Sequence, residues 1–288
     1  EHRALPDGFM DTMNAPSPNI MNKMQRCVLG MYSYDDNPED LSLQNLLHQS
    51  ITLIGCMPTM MVNAYQMKRR VYDKQSMFFH LPQPGHCTAE HILSTYRPDQ
   101  KFTHEEAKLL DTCLLLHADH GGGNCSTFAT RVVSSSGSDT YSAIAAGIGA
   151  LKGPKHGGAN LQVNRQLKDI LAHVENYDDD DEVREYLRRI LRKQAGDGSG
   201  LIYGMGHAVY TISDPREVIL KERARHLAYE KGFEAEYNML CSIERLAPAI
   251  FAEEKGSAKP VCANVDLFSG LIYQMLGISE DLYTPLFA

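Results

Sequence analysis

Apolar residues in this chain recur at every third or fourth position and almost never at every second, so the sequence predicts a structure built from helices. Leu109, Leu110, Cys113, Leu114 and His117 share one helical face, and Thr103 with Glu106 three residues on forms a capping box that opens that helix. Tyr141, Ile144, Ala145, Ile148 and Leu151 make a second stripe, in a segment that also carries Ala143, Ala146, Gly147, Gly149 and Ala150. Glycine in mid-helix is unfavourable by about 1 kcal/mol relative to alanine, so such a helix is expected where other backbones approach closely. A third helix is expected from Glu182 to Lys193. Its entrance, Asp178 to Glu182, is acidic and its exit basic, which suits the helix dipole. A fourth opens at Asp214-Pro215-Arg216-Glu217, with Asp214 as N-cap and Pro215 in the first helical position, and ends near Gly232. The polar stretches 175–181 and 253–260 are expected to be surface loops.

At roughly 150 residues per domain, 288 residues correspond to two globular domains. Apolar residues make up 43% and charged residues 22%, an ordinary globular balance that excludes wholesale disorder. No stretch reaches the roughly 18 apolar residues of a membrane-spanning helix, so no membrane partner is expected. The net charge of −8 argues against a nucleic-acid partner, while a local basic pocket for a phosphorylated ligand stays compatible with it. The seven cysteines are odd in number, widely spaced and without a C-x-x-C pair. They are expected to be buried, reduced thiols of a cytoplasmic protein. The chain opens Glu1-His2-Arg3, with neither an initiator Met nor an apolar signal segment.

Chemistry concentrates in four clusters. The first is His117-Ala118-Asp119-His120-Gly121-Gly122-Gly123-Asn124, where a helix runs into three glycines. Either the glycines let His120 and Asn124 approach a ligand, or the cluster is a helix C-terminus ended by glycine. An H-x-D-H set can ligate a metal in hydrolases, but neither H-E-x-x-H nor paired C-x-x-C accompanies it, and no metal is expected. The second cluster, Gly153-Pro154-Lys155-His156-Gly157-Gly158-Ala159-Asn160, presents His156 at a helix break; the plain alternative is a loop turn. The third is Gly204-Met205-Gly206-His207-Ala208-Val209-Tyr210, followed by Arg216 in the first turn of a helix. A cation there gains nothing from the dipole. Binding a substrate carboxylate would explain it, and so would a surface pair with Glu217 or Glu222. The fourth, Asn264-Val265-Asp266-Leu267-Phe268-Ser269-Gly270, offers Asp266 as an N-cap of a helix over Leu267–Leu276 or as a general base. Three Gly-flanked histidines, one Arg and one Asp suit metal-free proton transfer on a carboxylate-bearing substrate.

In order and spacing these clusters resemble the citrate synthase family. The carriers are H-A-D-H-G-G-G-N-C-S-T, G-P-K-H-G-G-A-N, G-M-G-H-A-V-Y with D-P-R, and N-V-D-L-F-S-G. The likeness runs over nearly the whole chain and is closest to bacterial, clostridial-type members. It implies an all-α fold with a large helical domain over 1–155 and 272–288, a smaller helical domain over 156–271, and a cleft that closes on oxaloacetate. It implies a homodimer, with helices around 104–118 and 139–152 in the interface. The reaction implied is condensation of acetyl-CoA with oxaloacetate, then hydrolysis of citryl-CoA to citrate and CoA. His156 would stabilise the acetyl-CoA enolate, Asp266 would remove the methyl proton, and His207 would polarise the ketone. His120, Arg216 and Asn124 would hold oxaloacetate. Gly204 and Gly206, with Lys255 and Lys259, would lie near CoA. No cofactor is implied beyond acetyl-CoA as co-substrate.

Three alternatives stay open on sequence. They are a 2-methylcitrate synthase using propionyl-CoA, a non-catalytic helical dimer of the family, and a metal hydrolase. The family pattern continues past Ala288 with an arginine for a substrate carboxylate and another donated across the dimer. Its N-terminal segment is also shortened or absent here. A polypeptide ending at Ala288 is therefore expected to bind oxaloacetate weakly.

Overall fold

The computed structural model describes residues 2–12, 15–119, 122–207, 209–256 and 261–288. Those residues form helices α1 (Phe9–Thr12), α2 (Ile20–Gly30), α3 (Leu43–Val71), α4 (Thr88–Tyr96), α5 (His104–Ala118), α6 (Cys125–Ser135) and α7 (Thr140–Leu151). They continue with α8 (Pro154–Gly157), α9 (Ala159–His173), α10 (Asp180–Leu191), α11 (Pro215–Glu230), α12 (Glu234–Lys255), α13 (Asp266–Met275) and α14 (Tyr283–Phe287). Among the described residues the only β pairing is an isolated antiparallel bridge between Met205 and Ala263. The chain divides into two compact units, one of residues 1–157 with 284–288 and one of residues 158–283.

In the first unit the Thr103 hydroxyl accepts the Glu106 N–H and Glu106 in return accepts the Thr103 N–H, as the capping box requires. Glu106 also takes a two-pronged bond from Arg97, at 2.7 and 3.0 Å. The small residues of α7 admit neighbours on two sides. A side chain at Gly147 would collide with Thr130 of α6, and one at Gly149 would stand 2.6 Å from Gln25 Nε2 of α2. Gln25 donates to the Ala145 carbonyl at 3.0 Å.

The second unit is organised around α13, in which eight of the ten residues are buried and the helix packs on α9, α11 and α12. A helix apolar all round is an interior helix. On α10, Val183, Tyr186, Leu187, Ile190 and Leu191 form the buried stripe that holds it to α12. It starts two residues before the expected Glu182, because Asp179 caps the Asp181 and Glu182 amides. Glu182 folds back onto the Glu175 and Asn176 N–H groups, so the acidic entrance orders the preceding loop.

Three expectations need correction. A boundary at 271/272 would cut α13 in the middle of its buried run; the division falls at 157/158 and at 283/284. Residues 253–255 are the last turn of α12 rather than loop, and Gly256 ends the helix in the left-handed conformation, φ 57°. Cys27, Cys56, Cys113 and Cys262 are buried free thiols, but Cys87 and Cys125 are exposed at the N-terminal ends of α4 and α6. Among the described residues no helix is long and apolar enough to cross a membrane.

Candidate active site

In the second unit, segment 204–206 crosses segment 262–264. Gly206 N–H donates to the Cys262 carbonyl at 2.7 Å, Asn264 N–H to the Gly204 carbonyl at 2.9 Å, and Asn264 Nδ2 to the Gly206 carbonyl at 2.9 Å. Glycine is required at 204: its φ is +80°, and a Cβ there would stand 2.8 Å from the Leu267 side chain. The crossing ties His207, next in sequence, to the segment that leads into α13.

Two backbone amides fix the protonation of His207. The Val209 and Tyr210 N–H groups both donate to Nδ1 at 2.9 Å. A peptide N–H cannot act as acceptor, so Nδ1 offers its lone pair and the proton of the neutral ring sits on Nε2. Nε2 lies 3.7 Å from Asp214 Oδ2 and 3.3 Å from an Arg216 terminal nitrogen, which as a guanidinium donor cannot accept its proton; the two shorter bonds into Nδ1 decide the tautomer.

Asp214 is fully buried and does more than cap α11. It accepts the Arg216 backbone N–H at 3.0 Å, Arg216 Nε at 3.0 Å and Arg216 Nη2 at 2.7 Å. Burial alone would raise its pKa; the Arg216 bonds outweigh that and hold the carboxyl below its ordinary range. The arginine in the first turn is thus explained by Asp214, and the expected pairing with Glu217 or Glu222 is replaced. Glu217 is itself buried, and burial, reinforced by Glu244 against the pull of Lys221, pushes its pKa up to about 7.

Asp266 is not an N-cap. It is the first residue inside α13, and the Asn264 side chain accepts its N–H at 3.0 Å. Its carboxyl is therefore not committed to capping. It keeps some solvent exposure, yet the surrounding protein strips enough water to push its pKa up to about 6; Arg216 opposes that rise and Asp214 adds to it. Asp266, Asp214, Arg216 and His207 thus form one electrostatic cluster within one unit.

His156 belongs to the first unit, on the short turn α8. Ser126 N–H, in the first turn of α6, donates to His156 Nε2 at 3.2 Å. Ser126 Oγ lies 2.9 Å from the same nitrogen and gives its one proton to Asn124 Oδ1 at 2.6 Å. The N–H contact asks Nε2 to accept, whereas Oγ, its own proton spent on Asn124, could only accept a proton from Nε2; the two contacts call for opposite tautomers, so Ser126 fixes where the ring sits rather than which nitrogen carries its proton. The turn is clamped from below: Thr284 Oγ1 donates to the Gly157 carbonyl at 2.6 Å, and a side chain at 157 would strike the Leu151 carbonyl.

Asn124, expected against oxaloacetate, spends Oδ1 on capping α6 through Thr127 N–H and gives Nδ2 to Thr127 Oγ1, both at 2.8 Å. Gly204 and Gly206 serve the crossing of the two segments, and Lys255 is exposed at the end of α12. His120 and Lys259 lie outside the described residues. Among the described residues no three His, Cys, Asp or Glu side chains gather as metal ligands. Two contributors escaped the sequence reading. Asp214 was legible only as a cap, although D-x-R at the start of a helix signals a carboxylate within reach of the guanidinium. Ser126 meets His156 through both its N–H and its hydroxyl, a contact between distant positions that no local pattern reports.

A family model described as citrate synthase, C-terminal domain, matches residues 1–288. The chain belongs to the citrate synthase family. The citrate synthase of Haloferax volcanii is 34% identical over 293 residues, a match covering 100% of this chain and 70% of that protein. That of Synechocystis is 40% identical over 182 residues, or 63% of this chain and 41% of that protein. That of Deinococcus radiodurans is 41% identical over 186 residues, or 65% and 45%. The chain thus matches less than half the length of those two citrate synthases. The solved citrate synthase of Pyrobaculum aerophilum superposes with a TM-score of 0.78 at 26% identity, covering 99% of this chain and 68% of that one. The Thermoplasma acidophilum enzyme, solved with carboxymethyl coenzyme A and oxaloacetate, superposes with a TM-score of 0.78 at 27% identity, covering 99% and 70%. Citrate synthase likeness therefore extends through both units and all four clusters.

Proposed function

We propose that this chain works as a citrate synthase, condensing acetyl-CoA with oxaloacetate and hydrolysing the resulting citryl-CoA. The observation that carries the reading is the uncapped Asp266, held at a pKa of about 6 beside Asp214, Arg216 and His207. A thioester methyl proton is weakly acidic, so the base must be ionised at neutral pH yet stronger than an ordinary carboxylate. Asp266 takes that proton while His156 donates to the thioester oxygen as negative charge develops there. His207 donates from Nε2 to the oxaloacetate ketone and then protonates the new alkoxide. Arg216, oriented by Asp214, binds an oxaloacetate carboxylate, and His120 is assigned to the same task. Asn124 supports the site through the α6 turn that holds His156. Lys255, Lys259 and the 204–206 glycines are assigned to the CoA side.

The protein is proposed to be a cytoplasmic homodimer. No residue of α6 is buried within its unit, and Phe128 and Val132 on that helix are 67% and 51% exposed. That face suits burial against a second copy. The direct test is to incubate the purified protein with oxaloacetate and acetyl-CoA, then propionyl-CoA, with excess chelator present. Equal release of citrate and free CoA, fastest with acetyl-CoA, is expected. A faster rate with propionyl-CoA would move the assignment to 2-methylcitrate synthesis, and no product with either would remove it.

A further inference from the structure

Helices α9 and α13 meet at Gly270. A Cβ there would stand 2.6 Å from Asn164 Oδ1 and 2.9 Å from the Asn160 carbonyl oxygen, so the approach demands glycine. At the same point Asn164 Nδ2 donates to the Gly270 carbonyl and to the Tyr283 hydroxyl, each at 3.1 Å. The amide cannot be reversed, because that would turn Oδ1 against a carbonyl oxygen. Asn160 and Asn164 lie one helical turn apart, and each is only 1% exposed. Among the described residues neither Asn164 Oδ1 nor either amide atom of Asn160 has a hydrogen-bond partner. Buried, partly satisfied amides are less stabilising than apolar side chains of the same size. What an amide adds in such a seam is direction: it fixes one height and one rotation, where apolar packing permits sliding. Gly270 lies one turn along α13 from Asp266, on the same face.

We infer that Asn164 is a positioning residue for Asp266, its bond to the Gly270 carbonyl fixing α13 against α9 and so fixing where the Asp266 carboxylate stands. The inference rests on the reading of Asp266 as the base. The charges acting on Asp266 come from Arg216 and Asp214 at the start of α11, while α9 turns uncharged asparagines to the seam and α12 packs Tyr237 on Phe268.

The test is Asn164→Ala in the intact protein, with Tyr283→Phe and Asp266→Asn made alongside. In Asn164→Ala, kcat should fall about 10–100-fold, as expected when a reacting group is misplaced by a fraction of an ångström to an ångström. KM for oxaloacetate should stay within about threefold, because Asp214 and Arg216 hold each other at the start of α11. The acid limb of kcat should move to lower pH, since a displaced Asp266 is better hydrated. A merely structural role would lower the folded fraction without moving the limb. Tyr283→Phe, which removes only a hydroxyl from the same amide, should shift the limb less in the same direction and carries the test if Asn164→Ala does not fold. Folded variants with unchanged kcat and an unmoved limb would overturn the inference. If Asp266→Asn is inactive in that case, the reading of the base survives and only the positioning claim fails. If Asp266→Asn keeps turnover, both fall.

Discussion

A carboxyl group that must take a proton from carbon at neutral pH needs two properties that oppose each other: freedom from hydrogen bonds that would quench its basicity, and enough nearby charge to keep it ionised. Asp266 has the first because Asn264 accepts its N–H, and the second because Arg216 tempers the desolvation that raises its pKa to about 6. A raised folded pKa means that ionised Asp266 opposes folding. The stability it permits is complete below the unfolded pKa and is lost as pH rises through about 6. Asp266→Asn should therefore melt higher than wild type at pH about 7.5, by about 1–3 kcal/mol of stability, with the gap closing as pH falls below about 4. Asp214 has the opposite sign. Its pKa is depressed, so its stabilisation is present at neutral pH and lost as pH falls through the depressed value. Asp214→Asn should cost about 3–5 kcal/mol in denaturant unfolding at neutral pH by replacing the buried carboxylate that accepts three N–H groups of Arg216 with a neutral amide. It should also raise KM for oxaloacetate.

At the scale of elements, glycines decide where segments can approach. Gly147→Val should force α6 and α7 apart at Thr130 and lower the melting temperature by several degrees, at about 1–3 kcal/mol for overpacking. A melting temperature equal to wild type would show that the pair can relax. How much of this the sequence discloses depends on whether an element advertises itself locally. Helices α5, α7, α10 and α11 carry caps, stripes or charge gradients, and their ranges follow within about two residues. Helix α3 spans 29 residues with apolar residues on two faces, Leu43, Leu47, Ile51 and Ile54 exposed and Leu53, Cys56 and Met60 buried, so no single stripe marks its buried side. Helix α12 is disguised by Pro248 in its interior. At the site, His156, His207, Arg216 and Asp266 were legible as residue types beside glycine. The proton placement on His207 was not, because Val209 and Tyr210 set it with backbone N–H groups.

For the whole molecule, each unit carries one histidine of the proposed chemistry, His156 in one and His207 in the other. Each is fixed by main-chain bonds within its own unit. The His207 tautomer should therefore be present before any substrate binds. Nitrogen NMR of labelled histidine should find the Nε2–H tautomer at His207 in the free protein; the Nδ1–H tautomer there would contradict the geometry. If the exposed α6 face is a dimer contact, Phe128→Glu should yield monomers in sedimentation while wild type sediments as a dimer.

The decisive measurement is the pH dependence of citrate formation from acetyl-CoA and oxaloacetate, for wild type and for Asp266→Asn. Wild-type kcat should fall on the acid side with an apparent pKa of about 6, and the variant should be folded but slower by about 100-fold or more at every pH. A variant that makes citrate at the wild-type rate would contradict the account.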